Sequence, residues 1–156
     1  EIVSDAAVEA WFYHLEQSSL DQALPGLLEK TLARGWRALV RVRDPGLLAA
    51  LDERLWTWRA ESFLPHGTDR ADHAADQPIL LTQEAEANPN GAQVLFIVDG
   101  ADPGEIELYA RCLILFDGRD EVALTQARQQ WKSMKAGGVE ASYWRQNEEG
   151  AWSRAA

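Results

Sequence analysis

The spacing of apolar residues in the first part of the chain predicts a strand, a helix and a second strand. Residues 10–15 (AWFYHL) form a short aromatic and apolar run that is typical of a buried strand. In residues 20–33, apolar side chains recur every three or four positions, which predicts a helix packed by one face. Gly35 ends this helix. Residues 37–42 alternate charged and apolar side chains, some of them β-branched, and predict the second strand.

The same rhythm continues in the next segment of the chain. Asp44 and Pro45 form a good helix start, and the helix is predicted to continue to about Trp58. Strands and helices that alternate at this rhythm favour the α/β class, with a mostly parallel sheet flanked by helices. Residues 62–77 (SFLPHGTDRADHAADQ) break the rhythm, because they are polar and rich in turn residues. We expect a long connection there, of the kind that often bears a binding surface.

The second half of the chain returns to regular elements. The pattern predicts strands at residues 79–82, 93–98, 108–116 and 139–144, a helix at 120–136, and a polar tail at 146–156 with a turn before Trp152. We expect one domain over residues 10–156, and we interpret residues 1–9 as an N-terminal extension or a cloning remnant.

Composition narrows the function classes. The chain has 156 residues, with 15 Lys and Arg against 25 Asp and Glu, and its net charge of −10 opposes a broad electrostatic footprint on nucleic acid. We therefore expect no strong direct nucleic-acid binding. No apolar run approaches the roughly 20 residues that cross a membrane. The single cysteine, Cys112, excludes an internal disulfide framework and fits a cytoplasmic protein.

The sequence lacks the nucleotide-binding motifs that α/β proteins often carry after their first strand. The segment after the first strand, EQSSLDQALPG, lacks both the spaced glycines of a dinucleotide site and a phosphate-binding loop. Cys112 lies in an apolar run that would bury its thiol. No cofactor or metal is expected.

Three carboxylates offer an enzymatic alternative. Asp99, Asp117 and Asp120 follow apparent strands, where α/β folds often hold Mg²⁺, and they would suit a Mg²⁺-dependent phosphotransfer enzyme. Ordinary turn and helix-cap chemistry is the favoured explanation of the same residues. His14, in the first strand, and His66, in an exposed-looking loop, have no partner at metal-binding spacing, and structural roles are expected for both.

The predicted helix at 120–136 carries a cluster of cations. Arg128, Lys132 and Lys135 fall within about 60° of one another on a helical wheel, and we call these three residues the basic stripe. Trp131 and Leu124 border it, which places an anion site beside an apolar shelf. Such a surface suits a ligand that is acidic and apolar at once, such as a peptide C-terminus. A solvated helix face is the alternative explanation.

A second surface is predicted where a helix meets the long connection. Its members, here called the aromatic cluster, are Trp56, Trp58, Phe63, Leu64 and Pro65. Residues of this kind cover an edge of the core or anchor a protein interface.

Several segments together resemble one bacterial protein family. They are LDERLWTWRAESFLPHG (51–67), DQPILLT (76–82), FDGRDEVALTQARQQWKSMKAGG (116–138) and YWRQNEEGAW (143–152). In this order they resemble the chi subunit of bacterial DNA polymerase III. The resemblance implies a non-catalytic accessory protein of the clamp-loader complex with a Rossmann-like fold.

The resemblance also implies two partners. One is the acidic, hydrophobic C-terminal tail of single-stranded DNA-binding protein, whose pocket falls on Arg128, Trp131 and Lys132, with Leu124 and Lys135 beside them. Some family members carry a lysine where this chain has Leu124. The other implied partner is the psi subunit, whose interface falls on Trp56, Phe63, Leu64 and Pro65.

Overall fold

The computed structural model describes residues 8–58, 64–68, 73–83, 88–149 and 151–156. These residues form an eight-stranded sheet and three α-helices. The strands are β1 (Glu9–Leu15), β2 (Ala38–Arg41), β3 (His66–Thr68), β4 (Ile79–Thr82), β5 (Val94–Ile97), β6 (Arg111–Asp117), β7 (Glu140–Gln146) and β8 (Trp152–Arg154). The helices are α1 (Leu20–Ala33), α2 (Pro45–Trp56) and α3 (Glu121–Ala136). The predicted α/β class, a mostly parallel sheet flanked by helices, is confirmed.

The sheet has the strand order β3-β4-β2-β5-β6-β1-β7-β8. Each neighbouring pair is parallel except β7 and β8, which are antiparallel. β5, in the middle of the sheet, is a short run of aliphatic and aromatic residues, VLFI, and is buried along its whole length. This pattern is expected of parallel strands that are covered on both faces.

The alternation of side chains along each strand divides the core into two layers. On β1, Tyr13 and Leu15 belong to the cluster that contains the buried leucines of α1 and α2. Ala10 and Phe12 of the same strand belong to the cluster that contains the buried residues of α3. Because successive side chains of a strand point to opposite faces, α1 and α2 cover one face of the sheet and α3 covers the other.

Two edge strands were not predicted. β3 lies within the segment interpreted as a connection, and β8 lies within the polar tail, so the prediction that the strand at 139–144 is the last one was wrong. Each of these strands has three residues and pairs with one neighbour. Both strands are short and are defined by their pairing with a neighbour, so their own sequences carry no strand pattern that predicts them.

The prediction that His66 lies in an exposed loop was also wrong. His66 is the first residue of β3 and only 5% exposed. Its Nδ1 lies 2.7 Å from the carbonyl oxygen of Leu64, and its Nε2 lies 3.1 Å from a carboxylate oxygen of Asp52. Both nitrogens of the buried ring therefore have protein partners, as is usual for buried polar groups.

Element boundaries differ slightly from the predictions. The strand predicted at 108–116 begins later, as β6, because residues 106–108 form a short 3₁₀ turn. The helix after Asp44 ends at Trp56 rather than Trp58. Within the described residues, no helix is both long enough and apolar enough to cross a lipid bilayer.

A buried polar cluster joins β1 to β7 close to α3. His14 of β1 is 7% exposed, with its Nδ1 2.5 Å from the hydroxyl of Tyr143 and its Nε2 3.1 Å from Glu16. A neutral imidazole satisfies both contacts, since the tyrosine hydroxyl can donate to Nδ1 while Nε2–H donates to the carboxylate. Arg145 of β7 also donates to Glu16. Gly118, in the turn after β6, lies directly against the ring.

The surroundings of His14 favour its neutral form. Burial lowers the pKa of His14 below its ordinary value of 6.5. The Glu16 carboxylate opposes this effect, while the guanidinium groups of Arg145 and Arg128 add to it, and Asp117 raises the pKa slightly. The folded protein therefore takes up a proton at this site less readily than the unfolded chain does.

Replacement of Gly118 by alanine should destabilise the fold. An added Cβ would lie 1.8 Å from His14 Nε2, and the ring cannot retreat without losing its contacts with Tyr143 and Glu16. We expect Gly118→Ala to lower the free energy of unfolding by about 1–3 kcal/mol, as overpacking does. Gly26→Ala is the matched control, because no described atom lies within 4 Å of its added Cβ. A helix-interior alanine there should add about 0.5–1 kcal/mol. Urea unfolding of both variants tests this, and equal stabilities would contradict it.

His14 should make the protein less stable in mildly acidic solution. Because its pKa is lowered on folding, its contribution is complete above the unfolded value of 6.5 and is lost as the pH falls below that value. We expect the free energy of unfolding to decrease between about pH 7 and pH 5. The decrease should be smaller in His14→Gln. Urea titrations of both proteins across this range measure the two slopes, and identical slopes would show that His14 is not the group responsible.

Candidate functional site

The basic stripe is exposed on α3. Asp120 begins this helix, and its carboxylate accepts hydrogen bonds from the backbone of Val122 at 2.9 Å and Ala123 at 3.4 Å. Ala127 and Met134 are buried, so the apolar side of the helix packs against the core. The opposite side chains therefore face solvent, among them all three cations of the stripe, Arg128, Lys132 and Lys135.

Trp131 forms a rigid apolar shelf beside these cations. Its ring is half-buried and packs edge-to-face on Phe12, with 5.3 Å between the ring centroids, and on Tyr143, with 5.9 Å. The ammonium of Lys135 lies 5.3 Å from the centre of the same ring. Leu124, two turns earlier on this side of the helix, is also half-buried. The indole is therefore held in place from below, and its outer rim remains open to a ligand.

Arg128 is the cation of the basic stripe that acts on His14 and Tyr143. Its guanidinium is close enough to His14 and Tyr143 to lower the pKa of both groups. In each case burial is the larger cause, and for Tyr143 burial raises the pKa. Arg145 also lies near His14 and Tyr143, but it is paired with Glu16. Among the described residues, no carboxylate forms an ion pair with any cation of the basic stripe. Their N–H groups are therefore available to an anionic partner.

The residues that support Trp131 were not predicted as part of the site. Phe12 and Tyr143 occupy paired positions on β1 and β7, so their side chains lie next to each other on the α3 face of the sheet. A strand pattern indicates which residues share a face, but it does not indicate which strands are neighbours. The pairing became visible only in the folded structure.

The three carboxylates of the enzymatic alternative serve local structure. Asp99 accepts a hydrogen bond from the backbone of Asp44 at 2.9 Å, and Asp120 caps α3. Asp117 accepts from the backbone and side chain of Arg119, and these contacts hold the pKa of Asp117 below its usual range. All three line a cleft of about 380 Å³ at the carboxyl edge of the sheet.

The hydrogen bonds of Asp99, Asp117 and Asp120 support the turn-and-cap interpretation. Within the described part of the chain, no group of three or more His, Cys, Asp or Glu side chains is placed to hold a metal ion. Cys112 is fully buried, and burial raises the pKa of its thiol to about 12, so the thiol stays protonated and is a poor nucleophile.

The aromatic cluster is partly exposed, where α2 meets β3. Trp56, at the end of α2, is 56% exposed, and its ring centroid lies 4.5 Å from that of the buried His66. Pro65 is half-buried, whereas Leu64 is 2% exposed and packs in the core beneath. Trp58 is half-buried against the same core layer. Phe63 lies outside the described residues.

Asp52 and His66 form a support for Trp56 that was not predicted. Asp52 and Trp56 are four residues apart on α2, so their side chains share a face of the helix. His66, in contact with both, connects that face to β3. The helical spacing was readable from the sequence, but the contact with a residue of β3 was not.

The basic stripe and the aromatic cluster lie far apart on the molecule. α3 packs against β6, β1 and β7 on one face of the sheet. α2 packs with the core layer of the other face and contacts β3, the strand at the opposite edge from β7 and β8. The two surfaces therefore lie on opposite faces of the sheet.

Comparisons with a family model and with a curated protein both match the same family. The model of the family described as "DNA polymerase III chi subunit, HolC" matches residues 8–142, which include both surfaces. A protein of Rickettsia prowazekii (strain Madrid E), named "Probable DNA polymerase III subunit chi", is 30% identical over 112 residues, which covers 67% of this chain and 67% of that protein. The chain therefore belongs to the DNA polymerase III chi subunit family, a family of accessory subunits of the replicative polymerase.

Proposed function

We propose that this protein is a non-catalytic subunit of the DNA polymerase III clamp-loader complex that binds the C-terminal tail of single-stranded DNA-binding protein. On this proposal it works in the cytoplasm and links the tail to the replicase through the psi subunit. The observation that carries the proposal is the position of Arg128, exposed and without a carboxylate partner among the described residues, beside a rigid indole.

The chemistry of the basic stripe suits the end of an acidic and apolar polypeptide. The planar guanidinium of Arg128 can donate two parallel hydrogen bonds to a terminal carboxylate. Lys132 and Lys135 can attract acidic side chains of the same tail, and Trp131 and Leu124 can pack against its apolar residues. Because Trp131 is already ordered by Phe12 and Tyr143, little side-chain entropy is lost when the tail binds.

The negative net charge of the whole chain does not oppose binding of an acidic tail at the basic stripe. The net charge is −10, but charges on the surface are screened beyond about 8 Å at physiological salt. An acidic tail at α3 therefore interacts mainly with the three cations of the stripe. Acidic residues elsewhere on the chain reduce unspecific binding of other anions, which favours a short and localised contact.

The aromatic cluster supports the proposal of a second partner. An exposed tryptophan at the end of α2, packed on a buried histidine, has the features of an interface anchor. Pro65 adds a partly exposed apolar contact beside it, and Leu64 supports both from the core. We assign this surface to psi, with Phe63 as a further candidate residue.

Loss of Arg128 should weaken tail binding. We expect Arg128→Ala to reduce affinity for a synthetic peptide of the tail by about tenfold to 150-fold, which corresponds to about 1.5–3 kcal/mol for a charged hydrogen bond. Fluorescence anisotropy with a labelled peptide measures the change. Arg154→Ala is the matched control, since Arg154 is exposed on β8 and its guanidinium contacts only its own chain end among the described residues. Equal affinities of Arg128→Ala and wild type would overturn the assignment.

Loss of Trp56 should separate the two binding activities. We expect Trp56→Ala to lose co-purification with psi while it retains wild-type affinity for the tail peptide, because α2 and α3 cover different faces of the sheet. Leu108→Ala is the control for removal of an exposed apolar side chain, since Leu108 is 46% exposed and lies outside both surfaces. Retention of psi by Trp56→Ala would place the psi interface elsewhere.

A further inference from the structure

A second cleft, on the face of the sheet opposite α3, has no role in the functions proposed above. It has a volume of about 470 Å³ and lies between the end of α1 and the strands β6, β1 and β7. Trp11 of β1, Trp144 of β7 and Trp152 of β8 line it, together with Trp36 from the loop after α1. All four indoles are half-buried. This aromatic–cationic cleft holds four of the seven tryptophans of the chain.

Planar groups follow one another along the aromatic–cationic cleft. The guanidinium of Arg34 lies 4.1 Å from the ring centre of Trp36. The guanidinium of Arg111 lies 5.2 Å from the same ring and 4.6 Å from that of Trp11. Trp11 in turn stacks on Trp144, with 5.2 Å between centroids and 19° between planes. The result is a series of guanidinium and indole planes whose indoles are half-buried, so part of each indole remains accessible to a ligand.

The charges that line this cleft are all positive. Its charged lining residues are Lys30, Arg34 and Arg111, and no carboxylate is among them. Across the described residues, none of these three cations forms an ion pair with a carboxylate. The chain has ten more acidic than basic residues, so a group of three cations without carboxylate partners indicates a site for an anionic ligand.

We propose that the aromatic–cationic cleft binds a short segment of single-stranded DNA. Bases can stack on the accessible part of the half-buried indoles, and phosphates can be bound by the arginine and lysine side chains of the cleft. Proteins contact single strands in this way without reading their sequence. An acidic peptide would satisfy the cations, but it offers few flat rings to match a series of aromatic planes. The stacking geometry therefore favours nucleic acid over peptide.

The contact is local and weak. The net charge of −10 opposes a long path for a phosphate backbone, which is why the composition predicts no strong nucleic-acid binding. A cleft of about 470 Å³ holds only a short segment of a single strand. The cleft lies on the other face of the sheet from α3, so this inference does not depend on the tail-binding proposal.

Binding of a fluorescein-labelled oligothymidylate, followed by anisotropy at low salt with the full chain, tests the proposal. We expect Arg34→Ala and Trp36→Ala each to reduce affinity about fivefold or more, the scale of losing one stacking or phosphate partner. Arg119→Ala removes an equal charge at the carboxyl edge of the sheet, away from the cleft, and should bind as wild type does. An abasic oligomer with the same phosphates should bind at least fivefold more weakly than the oligothymidylate.

Three results would overturn the proposal. Wild-type affinity in both cleft variants would place the DNA elsewhere. Equal binding of the abasic oligomer would show that stacking plays no part. If Arg34→Ala loses the acidic tail peptide rather than the oligothymidylate, the cleft is a peptide site. Thermal unfolding checks that each variant is folded, and if Trp36→Ala is not, Arg34→Ala decides the question because Arg34 is exposed at the end of α1.

Discussion

The backbone pairing of β1 with β6 and β7 is the constraint on which both faces of the molecule depend. β1 lies in parallel between these two strands, so its alternate side chains enter opposite layers. On one face Phe12 supports Trp131 of α3, and on the other Trp11 stacks on Trp144. A slip of one residue in this register would exchange the two faces and remove both arrangements.

Two of the proposed binding surfaces on this acidic chain place cations next to indoles. The basic stripe contacts Trp131, and the cations of the aromatic–cationic cleft contact Trp36 and Trp11. An indole beside a cation offers apolar area and a π face at the point where an anion is attracted. On the two proposals, the surrounding negative charge would limit each contact to a short segment of its ligand. This combination fits an accessory subunit that must hold partners without adsorbing to other anions.

Local sequence patterns were sufficient to predict the helices and strands whose apolar residues recur with a clear period. The helix α3 was predicted almost to the residue, because an acidic N-cap, a buried stripe and a glycine pair all lie within one segment of the chain. The edge strands β3 and β8 were missed, since their stability comes from a neighbouring strand and not from their own composition. His66 was misplaced for the same reason, as its burial depends on Asp52 and Trp56 of a helix earlier in the chain.

The sequence by itself determined the fold class and the composition of the basic stripe, because the residues of the stripe are related by the spacing of a single helix. Only the tertiary structure decided what supports Trp131 and which residues line the aromatic–cationic cleft. Lys30 and Arg34 end a helix, Arg111 begins β6, and Trp144 lies on β7. Such residues meet because strand order and register bring distant segments together, and neither is encoded in the pattern of any one segment.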